Sequence, residues 1–396
     1  MGKAHVKVLT DTSKRVWVES YEIGPKDVGM AGTWHIRKTT LRGGPGDGVD
    51  LIEVNNGALV FSVLPTRGMG IWNVSYKGMV LGWQSPVRGP VHPSLVNALE
   101  RGGLGWLRGF DETIVRCGLE SNGAPCRDVL TNNMGQRVEM DLTLHGKIAN
   151  TPANRVEVQV VPGVAPQFVV TGQVCETGLF LSQLRLTTRI STRAGSNAVT
   201  IEDEVTNMKG VPSEMELLYH CNFGPPVLEK GARLEVPARM VAPRDARAAE
   251  GIGSFDTYLG STAGYVEQCY WYETIGDKDG NTLAMLRNAA ANKAVVIRYN
   301  RNALPCFTQW KNTASEDDGY VTGLEPGVNF PNPRPFERAN KRVVQLAPGA
   351  RYKAAITLEA LDTKAAVAKA QAEIAALQAG AERVVHAKPV AGYSDV

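Results

Sequence analysis

Short stretches in which apolar and polar residues alternate make up most of the chain. From about residue 50 to residue 360 these stretches are rich in Val, Thr, Tyr and Phe, and Gly, Pro, Asn and Asp residues separate them. Alternation with a period of two between turn residues is typical of half-buried β-strands. The pattern predicts strands over residues 58–65, 139–148, 155–162, 167–176, 180–192 and 198–207, and further strands beyond residue 210.

Segments with helical periodicity do not alternate with these strands. A doubly wound α/β fold or a TIM barrel needs that alternation, so the sequence predicts an all-β protein built as a large antiparallel β-sandwich. Residues 363–379 differ, because they are Ala-rich with apolar residues at helical spacing, and Gly380 is placed to end a helix. We expect one C-terminal amphipathic helix that packs on the sandwich or on another subunit, and packing within the chain is favoured.

The pattern divides the chain into three parts. These are an N-terminal extension that packs on the sandwich (residues 1–50), the sandwich itself (51–362), and the C-terminal helix with a tail (363–396). Residues 84–135 form a long Gly/Pro-rich insertion in the sandwich. Loops of this length in a compact domain are usually functional, and a structural crossover is the alternative. The insertion carries stacking and polar side chains suited to a sugar: Trp106, Asp111, Glu112 and Arg116.

Charge and cysteine content narrow the range of partners. The formal net charge is +3, and no block of like charge resembles a nucleic-acid arm or a polybasic membrane patch. We find no signal-peptide pattern at the start and no run of roughly eighteen apolar residues. The six cysteines lack CxxC spacing, which is typical of reduced thiols. We therefore expect a soluble, cytoplasmic protein that binds a small molecule and neither nucleic acid nor membrane.

Three ionisable residues stand next to strand-ending turns. His220 precedes a Pro-Pro pair, His145 precedes Gly146, and Glu325 precedes Pro326 and Gly327. Strand ends expose side chains, and a glycine lets a ligand approach closely. Each residue alone is more often structural than functional. A fourth candidate is Arg67, whose guanidinium could bind ring hydroxyls or a carboxylate, or could instead form a surface salt bridge.

An ordered series of motifs covers most of the chain and carries a family resemblance. The series runs VLPTRGMGIWNVSYKG, GWLRGFDE, RCGLESNGAP, LHGKIANTP, LYHCNFGPP and GLEPGVNFP. It resembles the uncharacterised branch of the aldose 1-epimerase-like proteins, a family also known as a domain of unknown function of the DUF4432 type. The resemblance implies the large β-sandwich of the galactose mutarotases, with two histidines and a late glutamate in the same chain order.

The resemblance also implies a role for each of these residues. His145 matches a histidine that helps bind the sugar, His220 matches one that protonates the ring oxygen, and Glu325 matches the base that takes the proton of the anomeric hydroxyl. Opening a hemiacetal requires such an acid and base together. Aromatic walls from Trp83, Trp106 or Trp310 would stack on a sugar ring. The predicted substrate-binding residues are Arg67, Trp106, Asp111, Glu112, Arg116, Asn222 and Trp310.

The sequence departs from the mutarotase pattern after the first His-Gly pair. Mutarotases carry an arginine and an aromatic residue there, whereas residues 147–152 read KIANTP. The sugar-binding residues therefore differ, and simple galactose or glucose does not follow as the substrate. The favoured interpretation is an epimerase of a carbohydrate that needs no metal and no other cofactor. The alternatives are a metal-assisted lyase or isomerase of an oxidised (keto) sugar and a non-catalytic carbohydrate-binding protein, as a monomer or a homodimer.

Overall fold

Two large β-sheets stacked face to face form the protein. A computed structural model describes residues 4–395. Strands are numbered in chain order. The smaller sheet has ten of them, which lie side by side in the order β17 (Arg233–Glu235), β20 (Asn281–Arg287), β21 (Ala294–Asn300), β25 (Arg351–Leu361), β15 (Ala198–Asn207), β14 (Gln183–Arg193), β13 (Gln167–Thr177), β12 (Ala153–Val161), β1 (His5–Asp11) and β2 (Val16–Trp17). The all-β sandwich predicted from the sequence is confirmed.

The larger sheet has fourteen strands. Twelve follow one another in the order β26 (Val384–Val385), β18 (Ala238–Pro243), β19 (Gln268–Thr274), β22 (Cys306–Asn312), β23 (Val321–Gly327), β16 (Ser213–Phe223), β9 (Ile114–Leu119), β7 (Gly70–Tyr76), β6 (Leu59–Leu64), β5 (Asp50–Asn55), β4 (His35–Thr40) and β3 (Tyr21–Ile23). β24 (Val344–Leu346) pairs with β16, and β8 (Met79–Val80) with β7. A separate hairpin joins β10 (Cys126–Thr131) to β11 (Arg137–Leu142).

Alternate residues along the strands build the core between the sheets. In β12 the buried residues Val156, Val158 and Val160 are two apart, as a half-buried strand requires. The two sheets meet at contacts such as Trp34 against Phe168, whose ring centroids lie 4.8 Å apart. Because one face of each sheet is apolar, stacking removes both faces from water and provides the main stabilisation.

Four short or medium helices lie on the sandwich within the described part of the chain. They are α1 (Glu100–Gly103), α2 (Ala246–Glu250), α3 (Arg334–Ala339) and α4 (Lys364–Gln378). The predicted C-terminal helix is confirmed as α4, which begins after the N-cap residue Thr363 and buries Val367, Ala370 and Ile374 against the outer face of β20 and β21. None of the helices within residues 4–395 is long and apolar enough to cross a membrane.

The chain ends contribute to both sheets. The predicted N-terminal extension, residues 1–50, supplies β1 and β2 to the smaller sheet. To the larger sheet it supplies β3, β4 and Asp50, the first residue of β5. The first three residues of this span and residue 396 of the predicted tail lie outside the described residues. The tail is held by a hydrogen bond from Trp271 Nε1 to Ser394 Oγ, 2.8 Å long.

Two parts of the chain differ from the sequence prediction. The insertion at 84–135 is not loop throughout, because it contains β9, a strand buried along its whole length between β16 and β7. The strand predicted over 139–148 ends at Leu142, and His145 follows in a turn with a φ of +57°. Before β9 the chain forms a compact loop that includes a 3-10 helix over Gly105–Gly109 and reaches Phe110.

Candidate functional site

An open cavity of about 240 Å³ lies where the 3-10 helix of the insertion covers strands β16, β19, β22 and β23. The three predicted catalytic residues line it together with three aromatic side chains: His145, His220, Glu325, Trp106, Phe110 and Trp310. A larger groove of about 540 Å³ beside the β10–β11 hairpin contains none of these six residues. The smaller cavity is therefore the candidate site.

His220 and Glu325 meet across adjacent strands. Cys221 on β16 pairs with Leu324 on β23, so the residues on either side of that pair become neighbours across the ladder. His220 Nε2 lies 3.3 Å from Glu325 Oε1, and both side chains are buried. This contact is not aligned as a hydrogen bond, and Oε1 has no hydrogen-bond partner in the described part of the chain. Glu325 Oε1 therefore keeps unused hydrogen-bonding capacity beside the imidazole.

Gly323 makes room for this pair on β23. A Cβ at this position would collide with Glu325 Oε1 and would lie 3.1 Å from His220 Cε1. The glycine thus lets the carboxyl group and the imidazole occupy the space between the strands.

The amide of Asn222 sets the tautomer of His220. Asn222 Nδ2 donates to the carbonyl oxygens of Glu112, at 3.0 Å, and His220, at 3.2 Å. Its Oδ1 must therefore be the atom 2.6 Å from His220 Nδ1, which makes Nδ1–H the donor. In the neutral ring the lone pair is then on Nε2, on the side of Glu325.

His145 is held in the same tautomer by a backbone carbonyl. Its Nδ1 lies 2.8 Å from the carbonyl oxygen of Asn122, so Nδ1–H donates and Nε2 remains as the acceptor. The ring centroids of His145 and His220 are 5.4 Å apart. Two imidazoles thus stand edge to face on the same cavity.

Burial determines the charges of these groups. Burial lowers the pKa of His220 well below its usual value, with His145 contributing further, and burial lowers the pKa of His145 to about 4. Burial also raises the pKa of Glu325 well above its usual value, and the nearby charge of Glu267 adds to the effect. These directions favour neutral imidazole rings and a protonated Glu325 carboxyl group in the unliganded cavity, so that one transferable proton lies between His220 Nε2 and Glu325.

The aromatic side chains form a wall around the histidines. Trp106 lies 4.6 Å from the His145 ring, Phe110 lies 4.9 Å from the His220 ring, and Trp310 lies 5.4 Å from it. Trp83 stands behind Phe110, at 5.0 Å. The buried Trp106 Nε1 has no hydrogen-bond partner among residues 4–395, so this indole keeps an unused donor beside the cavity.

Arg67 and Glu112, two of the predicted substrate-binding residues, do not line the cavity. Arg67 Nε donates to Glu112 Oε1 at 2.7 Å, and both side chains are buried. The other guanidinium nitrogens donate to the carbonyl oxygens of Val91 and Gly109 and to Asn150 Oδ1. The guanidinium predicted to bind a sugar or form a surface salt bridge is a buried tie that holds the insertion on the sandwich.

Asp111 and Arg116 also lie away from the cavity lining. Asp111 accepts a hydrogen bond from Trp72 Nε1 at 2.9 Å. Arg116 forms a buried ion pair with Asp203 on β15 and so links the two sheets. Asn222 does not line the cavity either, and its contact with His220 described above makes it a neighbour of a site residue. Of the seven predicted substrate-binding residues, the structure brings Trp106 and Trp310 to the cavity.

Sequence reasoning missed Phe110, Thr308, Arg244 and Glu267, which also line the cavity. The sequence did carry a signal for Phe110, because this residue belongs to the same GWLRGF segment that contains the predicted Trp106. Arg244 directly follows β18 and Glu267 directly precedes β19, and no motif in the sequence around either residue marks it as part of a site. Within residues 4–395, no group of three or more His, Cys, Asp or Glu side chains is arranged to hold a metal ion.

Comparisons with known proteins agree with this architecture. A family model described as a domain of unknown function (DUF4432) matches residues 46–360. The solved structure of a proposed aldose 1-epimerase from Klebsiella pneumoniae subsp. pneumoniae is 33% identical with a TM-score of 0.92, and the match covers 98% of this chain and 100% of that one. No curated protein matches the chain.

More distant solved structures share the fold alone. A galactose mutarotase-like protein from Clostridium acetobutylicum is 12% identical with a TM-score of 0.56, over 83% of this chain and 98% of that one. A galactose 1-epimerase from Lactobacillus acidophilus is 12% identical with a TM-score of 0.53, over 84% of this chain and 100% of that one.

Proposed function

The chain belongs to the DUF4432 family and has the galactose mutarotase-like fold, and from this premise we propose that it is an aldose 1-epimerase that interconverts the anomers of a monosaccharide or a monosaccharide derivative. The observation that carries the proposal is the contact of His220 Nε2 with Glu325 Oε1 at 3.3 Å in an aromatic-walled cavity. The K. pneumoniae relative, itself described as a proposed aldose 1-epimerase, supports it.

The proposed reaction needs one proton donor and one proton acceptor on the same sugar. The acceptor removes the proton of the anomeric hydroxyl, the C1–O1 bond becomes a carbonyl, and the C1–O5 electron pair goes to the ring oxygen, which takes a proton from the donor. Rotation about C1–C2 and the reverse steps give the other anomer. No proton is gained or lost overall, which suits a pair of groups that holds a single proton.

Two arrangements of that proton can serve the reaction. The pKa directions favour its position on Glu325 while no sugar is bound, whereas the roles implied by the family resemblance require a Glu325 carboxylate and a His220 imidazolium. The two forms differ by one proton transfer between atoms 3.3 Å apart. Sugar hydroxyls that donate to the carboxylate favour its ionised form, so substrate binding would shift the proton to His220. In our proposal His145 accepts a hydrogen bond from the sugar through Nε2.

The size and lining of the cavity support a single sugar ring as the ligand. Its volume of about 240 Å³ is below the roughly 300–1,000 Å³ of sites for drug-sized ligands. Trp106, Phe110 and Trp310 offer faces on which the C–H groups of a sugar can pack. Unpartnered polar atoms such as Trp106 Nε1 and Thr308 Oγ1 match its hydroxyls.

Anomer exchange measured by saturation-transfer NMR over a panel of aldoses and sugar acids tests the proposal. We expect exchange above the uncatalysed rate with at least one sugar, and a loss of at least 100-fold in the His220→Ala variant. A matched control is His35→Ala, because His35 on β4 pairs with Glu53 on β5 at 2.7 Å and neither residue lines the cavity. Exchange that stays at the uncatalysed rate across the panel, or that survives in His220→Ala, would overturn the proposal.

A further inference from the structure

Arg244 and Glu267 form a second polar pair on the cavity wall. Arg244 follows β18 and Glu267 precedes β19, and Arg244 Nη2 lies 3.2 Å from Glu267 Oε1. Both line the cavity that contains His220 and Glu325, but neither hydrogen-bonds to them. Their side chains remain about one third and two fifths exposed, at 34% and 44%, which places the pair at the cavity mouth.

The pair keeps unused hydrogen-bonding capacity on both partners. Arg244 donates through Nε to Asp245, through Nη1 to Cys269 Sγ and through Nη2 to Glu267, and its other two N–H groups have no partner within residues 4–395. Glu267 accepts from Arg244 and from Trp310 Nε1, which leaves lone pairs on both oxygens. A free donor and a free acceptor therefore stand side by side. Two adjacent hydroxyls match them, one accepting from Arg244 and the other donating to Glu267.

Trp310 lies between the Arg244–Glu267 pair and the His220–Glu325 pair, called the proton pair below, and so sets the distance between the two pairs. Its Nε1 donates to Glu267 Oε2 at 2.7 Å, while its ring centroid lies 5.4 Å from that of His220. One indole therefore reaches from the imidazole to the carboxylate, and a sugar ring lying against it has a similar extent. A sugar placed with its anomeric carbon at His220 and Glu325 would present the hydroxyls on the far side of its ring to Arg244 and Glu267.

The charges around Arg244 and Glu267 restrict the net charge that a bound ligand can carry. The charged groups at the pair are one guanidinium and two carboxylates, those of Asp245 and Glu267. The guanidinium already donates to both carboxylates, so among the described residues an incoming anion would meet net negative charge and no unpaired cation at this pair. We propose, resting on the epimerase function above, that Arg244 and Glu267 are specificity-determining residues that bind two adjacent hydroxyls of a neutral sugar and disfavour sugar acids and sugar phosphates.

The test uses methyl glycosides, because they lack a free anomeric hydroxyl and report binding without chemistry. The dissociation constants of neutral methyl hexosides of gluco, galacto and manno configuration, and of the matching methyl uronides, are measured by tryptophan fluorescence or calorimetry. The variant Glu267→Gln keeps the size of the side chain and removes one of the two carboxylates that neutralise Arg244, so that Asp245 is left as its charged partner. The matched control is Glu250→Gln, since Glu250 pairs with Arg247 on exposed α2, away from the cavity lining.

We expect wild type to bind at least one neutral hexoside more tightly than its uronide. In Glu267→Gln, binding of the neutral hexoside should weaken at least fivefold and binding of the uronide should strengthen, so the ratio of the two constants changes at least tenfold. The control variant should leave that ratio unchanged. Tighter uronide binding by wild type, a ratio in Glu267→Gln within twofold of wild type, or no detectable binding of any glycoside would each overturn the proposal.

Anomer exchange measured on the corresponding free sugars separates the two proposals. If wild type binds the glycosides with the expected selectivity but exchanges no anomers, the epimerase function is refuted, whereas the assignment of Arg244 and Glu267 as hydroxyl-binding residues is supported. If wild type exchanges anomers and Glu267→Gln retains the wild-type selectivity, the epimerase function stands and the assignment of Arg244 and Glu267 fails.

Discussion

The side-chain amides of Asn122 and Asn329 hydrogen-bond to each other in both directions, at 2.8 and 3.2 Å. Asn122 belongs to the segment after β9, and Asn329 follows β23. The backbone N–H of Asn122 also donates to Glu216 Oε2 at 2.8 Å, and its carbonyl oxygen accepts from His145 Nδ1. The orientation of the His145 ring therefore depends on contacts that reach from β16 and β23.

Replacing Asn329 with alanine should weaken both stability and sugar binding. The change leaves the buried Asn122 amide without its partner, which typically costs about 1–3 kcal/mol, and it loosens the carbonyl that orients His145. Urea unfolding and the KM and kcat of anomer exchange measure the two effects, and we expect KM to rise more than kcat falls. Asn292→Ala is the control, because Asn292 pairs with the Asn288 amide in a turn remote from the cavity. Wild-type KM in the Asn329 variant would contradict this role.

A methyl group at Gly323 should abolish exchange. The Gly323→Ala Cβ would collide with the Glu325 carboxyl group and press on His220, so the proton pair must separate. We expect a loss of at least 100-fold in kcat/KM. Gly210→Ala is the control, since no atom lies near a Cβ at Gly210. Equal losses in the two variants, or a Gly323→Ala enzyme with full activity, would contradict the placement of Glu325 in the reaction.

Acid should destabilise the protein partly through His145. Its pKa falls from the usual 6.5 to about 4 in the folded chain, so between these values the unfolded chain binds a proton that the folded chain does not. The free energy of unfolding should therefore decline as pH falls from 6.5 towards 4, by up to roughly 3 kcal/mol for this group. His145→Asn retains a donor and tolerates the left-handed φ of +57°. Urea unfolding from pH 7 to pH 4.5 should show a shallower decline in the variant, and equal slopes would exclude a buried neutral His145.

Loss of Arg116 should destabilise the sandwich strongly. Arg116→Met leaves the buried carboxylate of Asp203 with Tyr219 OH, 2.9 Å away, as its remaining partner in the described chain. Removing one partner of a buried ion pair typically costs about 3–5 kcal/mol. Urea unfolding should show that Arg116→Met combined with Asp203→Leu recovers part of this loss, because no charge then remains buried. A double variant less stable than Arg116→Met would refute this account.

Metal removal should leave anomer exchange unchanged. The proposed reaction moves protons between His220, Glu325 and the sugar, and it requires no Lewis acid. Exchange rates before and after dialysis against a chelator, together with elemental analysis of untagged protein, measure this. Stoichiometric bound metal combined with chelator-sensitive turnover of an oxidised sugar would instead favour the metal-assisted lyase or isomerase.

The strand pattern predicted the sandwich because most strands have one face in the core and one in water. The predicted strand at 167–176 is β13, Gln167–Thr177, and the one at 198–207 is β15, Ala198–Asn207. The pattern did not predict β9, because all six of its residues are buried and its sequence therefore lacks the alternation of apolar and polar residues. Its position after a Gly-rich segment then made it resemble the end of a loop.

The three residues that turn residues and family motifs mark, His145, His220 and Glu325, line one cavity, and their roles there stay a prediction. Charged residues were harder to place, because charged side chains are rarely buried and their partners are distant in sequence. Arg67 meets Glu112 across 45 residues and Arg116 meets Asp203 across 87. Arg244 and Glu267 stand at the two ends of the connection between the successive paired strands β18 and β19, and no local pattern marks either residue as facing the cavity.

The tie between Arg67 and the insertion also bears on the speed of turnover. Its guanidinium is bonded at Val91, Gly109, Glu112 and Asn150, on both sides of the helix that carries Trp106. The aromatic wall is thus assembled before any ligand arrives, and binding need not spend interaction energy on ordering it. Sugar would enter and leave through the mouth of a preorganised cavity, and its release would not wait for a lid to open.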